Sequence, residues 1–177
     1  MSAEDQTEHA SQLTVGMAEL AVSRDPNATL CSCPLGACLG VVIYDPAVKI
    51  GGLLHSLLPS SSIAPARAID RPGMFLDTGL TAMLERAKEL GAKTENLQVF
   101  VVGGAQIMDE STAFNIGTRN YAALKEVLAQ LGLPIYAEDV GGRPNRTVQI
   151  NLATGDVRVK YSGQARMKSL CKPSTIT

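Results

Sequence analysis

The stretch that decides the fold is LGVVIYDPAVKIGGLLHSLL, residues 39–58. Its first part, residues 39–44, is a short apolar run rich in β-branched residues, which is typical of a strand buried on both faces. Asp45-Pro46 then signals a turn. Residues 50–58 return as a second strand that opens on two glycines. The sequence therefore predicts two consecutive buried strands joined by a tight connection.

Outside this pair, strands come first, then alternate with helices, and a hairpin closes the chain. Two helices carry apolar residues at helical spacing, and each is followed by a glycine stop, at Gly91 and Gly132. The remaining predicted elements are strands at 13–22, 99–102 and 135–140, and a hairpin at 147–152 and 156–161. This order predicts an α/β fold of layered mixed β-sheets packed by two main helices.

The length of 177 residues fits one domain. We expect a flexible N-terminal tail over residues 1–12, a single domain over 13–162 and a loose C-terminal tail over 163–177. Residues 59–73 are rich in Ser, Pro and Ala, and we predict them to be a long loop, functional or mobile.

Charge and hydropathy exclude two classes of function. The 16 basic and 17 acidic residues leave a net charge of -1 with no basic stripe, which argues against nucleic-acid binding. The longest apolar run, residues 35–44, is half of the roughly 20 residues that a membrane-spanning helix needs. The first residues are polar and acidic, unlike a signal peptide. We therefore expect a cytoplasmic protein that is not inserted in a membrane.

The candidate nucleophile is Cys38, which follows a glycine-containing turn and leads into the buried strand. A thiol there lies at the mouth of the fold, where backbone N–H groups of the turn are free to face an oxyanion. The alternative is a small buried hydrophobic residue, since free cysteine is among the most buried residue types. His55 favours catalysis: if the two strands lie side by side, its imidazole can take the thiol proton. A histidine satisfied by backbone groups is the alternative for His55.

A metal site is the rival use of the cysteines. Cys31, Cys33 and Cys38 with His55 would supply three thiolates and an imidazole, but their spacing is cramped and lacks the paired CxxC of structural zinc. We rank this site below the catalytic interpretation. A redox pair of Cys31 and Cys33 is weaker still, because one residue separates them where thioredoxin-like motifs have two. We expect no bound metal and no cofactor.

Two other motifs carry little chemistry. Gly103-Gly104 follows a strand, but neither GxGxxG nor a GKS or GKT sequence follows, so a tight turn explains the pair better than phosphate binding. Glu138-Asp139 are adjacent on a strand and point to opposite faces, so they favour loop capping over a paired-carboxylate site.

Four segments in one order match a known family: LGACLGVVIYDPAVKIGGLLHSLLP (35–59), VVGGAQIM (101–108), NIGTRN (115–120) and AEDVGGRPNRTV (137–148). The chain resembles the chemoreceptor glutamine deamidases (CheD) over residues 15–160. The resemblance implies a cysteine hydrolase similar to the catalytic domain of deamidating bacterial toxins.

The resemblance also assigns the site. Cys38 takes the place of the nucleophile, His55 that of the base, and Ser32 that of a threonine six residues before the cysteine. Ser32 keeps the hydroxyl but loses a methyl group, and Thr29 is the alternative third member. Ala37 replaces the usual serine before the cysteine, and the extra Cys31 and Cys33 are atypical.

The implied reaction is hydrolysis of a glutamine side-chain amide through a Cys38 thioester, and glutamate methyl esters would pass through the same thioester. The implied partners are the cytoplasmic helices of methyl-accepting chemoreceptors and the phosphatase CheC. The alternative function is a binding adaptor for chemoreceptors or CheC, with weak catalysis because of Ser32.

Overall fold

The computed structural model describes residues 10–106 and 115–170. The described residues form two five-stranded sheets. In chain order the strands are β1 Ser11–Val15, β2 Leu20–Ser23, β3 Ala28–Ser32, β4 Leu39–Asp45, β5 Ile50–Ser56, β6 Gln98–Gly103, β7 Ile135–Val140, β8 Arg146–Asn151, β9 Val157–Tyr161 and β10 Lys168–Ser169.

Each sheet mixes parallel and antiparallel pairs. The outer sheet has the order β1-β3-β8-β9-β10 and is parallel at β1/β3. The central sheet has the order β2-β5-β4-β6-β7 and is parallel at β6/β7. The central sheet packs against the outer sheet on one face and against the helices on the other. The expectation of an α/β fold with layered mixed sheets is confirmed.

Strand β4 lies in the middle of the central sheet, between β5 and β6. All seven of its residues are buried. Val41 and Ile43 face the helices, whereas Val42 and Tyr44 face the outer sheet. A strand covered on both faces needs apolar residues at every position, which explains the unbroken run that decided the fold.

The helices are α1 Pro65–Asp70, α2 Leu76–Leu90 and α3 Ile116–Gln130. Helix α2 buries the predicted apolar stripe against the central sheet and ends at Gly91, whose φ of 111° is left-handed. Helix α3 begins after Asn115, whose side chain accepts a hydrogen bond from the Thr118 N–H. Both main helices were predicted. None of the helices in the described ranges combines the length and the apolarity that crossing a bilayer requires.

The segment 13–22 is two strands, and its prediction as one strand was wrong. The chain leaves β1 at Val15, turns with Ala18 at a φ of 63°, and enters β2 in the other sheet. The Glu19 side chain accepts from the Gly16 N–H and closes this turn at 2.8 Å. Only Gly16 marked the turn in the sequence, and the apolar pattern continues through it.

Residues 59–73 are also more ordered than the predicted loop. They hold the 3-10 helix Ser61–Ile63, helix α1 and the start of the 3-10 helix Pro72–Met74. A further 3-10 helix, Thr94–Asn96, precedes β6.

Strand β3 was not predicted either, because ATLCS is short and its Cys-Pro-rich surroundings resemble a loop. Strand β1 begins at Ser11, and β10 lies beyond residue 162. The outermost parts of both predicted tails, residues 1–9 and 171–177, lie outside the described residues.

Candidate active site

The register of the central sheet brings Cys38 and His55 to the same end and the same face. His55 lies opposite Gly40 in the β4/β5 pair, and Cys38 comes two residues before Gly40. Directly opposite residues of an antiparallel pair point to one face, so His55 shares the face of Gly40, and Cys38 lies in the bend just before β4. Leu53 shows that this face is turned towards the outer sheet, and Cys38 packs against the cluster between the two sheets.

His55 is completely buried and its backbone is fixed on both sides. Its N–H donates to the Glu19 carbonyl and its carbonyl accepts from the Ala18 N–H, both at 2.9 Å. Burial lowers the pKa of His55, opposed in part by the backbone carbonyl of Val15 and the charge of Glu19. Neither ring nitrogen reaches hydrogen-bonding geometry with any described residue. The imidazole is therefore neutral near pH 7 and is able to accept a proton.

Cys38 is half-buried, and this burial raises the pKa of its thiol, while its own backbone N–H lowers it to a smaller extent. Burial thus shifts both groups towards their neutral forms, the thiol and the imidazole. No hydrogen bond joins the two side chains in this structure. Such bonds are often long in unliganded sites and tighten when substrate binds.

Backbone N–H groups without acceptors surround the thiol. We refer to residues 36–38 as the Cys38 loop. Each of its carbonyls accepts a hydrogen bond; the donors are, in order, the Ala105 N–H at 2.9 Å, the Asn120 Nδ2 at 3.2 Å and the Gly104 N–H at 2.8 Å. The N–H groups of the same three residues have no acceptor on any other described residue. In a trans peptide the N–H of one residue points opposite to the carbonyl of the residue before it, so the tethers on the Gly36 and Ala37 carbonyls turn the Ala37 and Cys38 N–H groups away from these tethers. This arrangement is able to bind an oxyanion.

The Gly103-Gly104 turn packs directly against the Cys38 loop. Both residues have positive φ, 113° and 62°. A Cβ atom on Gly103 would lie 2.3 Å from the Cys38 carbonyl oxygen. The glycine pair therefore permits a close backbone approach to the nucleophile, which agrees with the prediction of a tight turn.

Arg146 fixes the residue that precedes the Cys38 loop, and this role was not predicted from the sequence. Its backbone pairs in both directions with Leu35, at 2.6 and 3.0 Å. Its buried guanidinium donates to the Gly103 carbonyl at 3.4 Å and to Asp139 at 3.0 Å. Burial alone would raise the pKa of Asp139, but hydrogen bonds from Tyr161 and a lysine and the charge of Arg146 bring it below its ordinary value. Asp139 is thus part of a buried ion pair, where the sequence had suggested loop capping.

Ser32 lies at the edge of the same inter-sheet region but does not contact the imidazole through a hydrogen bond. It pairs with Val15 in the β1/β3 register, and its hydroxyl accepts from the Val148 N–H at 3.1 Å. Thr29, three residues earlier, faces the opposite side, in a polar groove on the outer sheet shared with Gln149. Thr29 therefore faces away from the inter-sheet region, whereas the Val15 carbonyl acts on His55 and Ser32 is the strand partner of Val15.

Cys31 and Cys33 are free thiols. Within the ranges 10–106 and 115–170, no three side chains of His, Cys, Asp or Glu converge as a metal would require. Cys31 is buried, and its pKa is raised by burial and by the nearby Cys33. Cys171 lies outside the described residues.

Comparison with known proteins agrees with the resemblance seen in the sequence. The family model described as CheD chemotactic sensory transduction matches residues 57–161. A probable chemoreceptor glutamine deamidase CheD 2 of Anaeromyxobacter dehalogenans is 42% identical over 154 residues, 87% of this chain and 97% of the relative. The chemoreceptor glutamine deamidase CheD of Thermotoga maritima is 38% identical over 149 residues, 84% of this chain and 91% of the relative. The family-model match begins after His55, but an alignment that spans 87% of the chain includes both Cys38 and His55.

Proposed function

The chain belongs to the CheD family, and on that premise we propose that it is a chemoreceptor glutamine deamidase with Cys38 as nucleophile. The observation that carries this proposal is the Cys38 loop, whose carbonyls are all tethered while its N–H groups remain without acceptors beside the thiol. A buried, neutral His55 at the same end of the sheet supplies the base.

The reaction begins with proton transfer from the Cys38 thiol to His55. The thiolate attacks the carboxamide carbon of a receptor glutamine, and the resulting oxyanion accepts hydrogen bonds from the Ala37 and Cys38 N–H groups. Protonated His55 gives its proton to the NH2 nitrogen as the C–N bond breaks, so that ammonia leaves and a thioester remains on Cys38. Neutral His55 next takes a proton from water, and the hydroxide attacks the thioester carbon. The C–S bond breaks, and protonated His55 returns its proton to the Cys38 sulfur, which leaves glutamate and the free thiol.

Ser32 is the proposed orienting group for His55. Its hydroxyl oxygen uses one lone pair to accept from Val148 and keeps the other to accept from an imidazole N–H. The Val15 carbonyl competes for this role, because it already interacts with the imidazole and raises its pKa. Orientation by either group would fix the tautomer that takes the thiol proton.

Further parts of the proposal rest on the family alone. Glutamate methyl esters are proposed as second substrates, and CheC as a binding partner. The kinship with the catalytic domain of deamidating toxins and action in the cytoplasm, where the receptor helices lie, are proposed on the same basis.

The second candidate function is a binding adaptor with weak catalysis. Two observations favour it: the Ser32 hydroxyl accepts from the Val148 N–H, and neither ring nitrogen of His55 has a hydrogen-bond partner among the described residues. An adaptor would bind receptor helices without converting their glutamines.

A deamidation assay separates the two functions. A chemoreceptor cytoplasmic fragment is incubated with the wild-type protein or with Cys38→Ala. The masses of its glutamine-containing peptides are then measured by mass spectrometry. The enzyme raises the mass of specific peptides by the difference between carboxamide and carboxylate, and Cys38→Ala does not. Binding of the fragment without any mass change would establish the adaptor.

A further inference from the structure

Asn120 occupies a position on α3 where the pattern of the helix calls for an apolar side chain. The buried residues of this helix are Gly117, Asn120, Leu124 and Leu128, which form one stripe facing the core. Asn120 is completely buried, and asparagine is a poor helix former in a helix interior. A polar side chain at such a position needs a reason other than packing.

The Asn120 amide joins the two chain segments that carry the proposed catalytic pair. Its Nδ2 donates to the Ala37 carbonyl at 3.2 Å and to the Leu57 carbonyl at 2.9 Å. Ala37 directly precedes Cys38, and Leu57 comes two residues after His55. Since both partners are carbonyls, the orientation of the amide is fixed by its bonds.

The oxygen atom of the Asn120 amide, Oδ1, is buried and makes no hydrogen bond with any described residue at this position. A buried acceptor without a partner destabilises the fold, whereas the two bonds of the Nδ2 satisfy the carbonyls of Ala37 and Leu57. The close approach of α3 is also specific: a Cβ on Gly117 would lie 2.5 Å from the Gly104 carbonyl oxygen. The contacts of Asn120 thus lie at the Cys38 loop and at the segment after His55.

Resting on the proposed function, we propose that Asn120 is a positioning residue for the oxyanion site. The Ala37–Cys38 peptide is trans and planar, so its N–H points opposite to its carbonyl. By holding the Ala37 carbonyl, Asn120 sets the direction in which the Cys38 N–H points. Its second bond ties this peptide to the segment after His55 and keeps the donor in register with the base.

This role predicts a split between two reactions of the same thiol. Deamidation passes through a tetrahedral oxyanion and depends on the direction of the Cys38 N–H. Alkylation of Cys38 by iodoacetamide forms no oxyanion and depends only on the thiolate and access to it. Loss of the Asn120 amide should therefore slow the first reaction and leave the second unchanged.

The test uses Asn120→Leu in the full chain, with turnover of a receptor fragment and the pH profile of Cys38 alkylation as readouts. We expect kcat to fall by about tenfold or more, as for loosened oxyanion donors, with KM changed by less than about twofold. The alkylation profile should match wild type. Asn115→Ala, which removes only the cap of the same helix, controls for weakening of α3 and should keep wild-type turnover.

Unchanged turnover in Asn120→Leu would overturn the proposal, as would a parallel loss of turnover and alkylation, or an equal loss in Asn115→Ala. If Asn120→Leu does not fold, Asn120→Ser, whose hydroxyl donates to one carbonyl only, must show the same split. A wild-type protein no more active than Cys38→Ala would instead refute the proposed function itself.

Discussion

Replacement of Gly103 by alanine tests how closely the backbone must approach the nucleophile. The new Cβ would lie 2.3 Å from the Cys38 carbonyl oxygen, whereas ordinary contacts begin at 3.4 Å. The Cys38 carbonyl, or the turn beneath it, must therefore move by about 1 Å, and a misplacement of this size costs on the order of 100-fold in rate. In free energy of activation this is about 3 kcal/mol.

The same substitution also strains the backbone, so a matched control is needed. Gly132 has a φ of 67° and no atom within 4 Å of its ideal Cβ, and it lies beyond the end of α3. Gly132→Ala should lose about 1 kcal/mol of stability from the left-handed backbone and keep its turnover.

The assay compares receptor deamidation per folded molecule, with folding followed by thermal unfolding. Gly103→Ala should lose about 100-fold in kcat, and Gly132→Ala should lower the Tm by only about 2–4 °C. A Gly103→Ala protein that folds and retains wild-type turnover would refute the reasoning, because the Cys38 loop would then tolerate displacement of its carbonyl.

Three further predictions concern single side chains. Burial raises the pKa of the Cys38 thiol above its ordinary 9.0, so without a base the thiol stays protonated near neutral pH. Because His55 takes this proton, His55→Ala should slow Cys38 alkylation near neutral pH and move its pH profile to higher pH. Identical alkylation profiles would make His55 a structural residue. Ser32→Ala should lower turnover, whereas Ser32→Thr, with the same hydroxyl and fewer rotamers, should preserve or raise it. Equal turnover of Ser32→Ala and wild type would leave Cys38 and His55 as a dyad. The pKa of Asp139 is lowered in the folded state, so the stability that it contributes is present in full above the unfolded pKa of about 4 and is lost below it, as pH falls through the lowered folded pKa. The unfolding free energies of wild type and Asp139→Asn should therefore converge in acid, and a gap that stays constant with pH would contradict this linkage.

The centre of the fold was predictable because its signals are local. The run at 39–44 needs only its own composition to indicate a strand covered on both faces, and Gly91 and Gly132 mark the ends of the main helices. The pairing of β4 with β5 followed from a short connection. This register was enough to place Cys38 and His55 at one end of a sheet.

The rest depended on contacts between distant parts of the chain. Asn120 lies 83 residues from Ala37, and only its place four residues before Leu124 hinted that it faces the core. The partner of the Ser32 hydroxyl, Val148, is 116 residues away. The crossing from β1 to β2 was missed because apolar residues continue through the turn, so the pattern does not reveal that the two strands join different sheets.

The central claim is that the Cys38 sulfur forms the covalent bond to the glutamine side chain, and labelling measures this directly. A receptor-derived peptide whose glutamine carboxamide is replaced by an electrophilic ketone is incubated with the protein, and the modified residue is located by mass spectrometry after digestion. The account predicts one adduct, on Cys38, in wild type and in Cys31→Ala and Cys33→Ala, and no adduct in Cys38→Ala. An adduct on Cys31, Cys33 or Cys171 in place of Cys38 would contradict it.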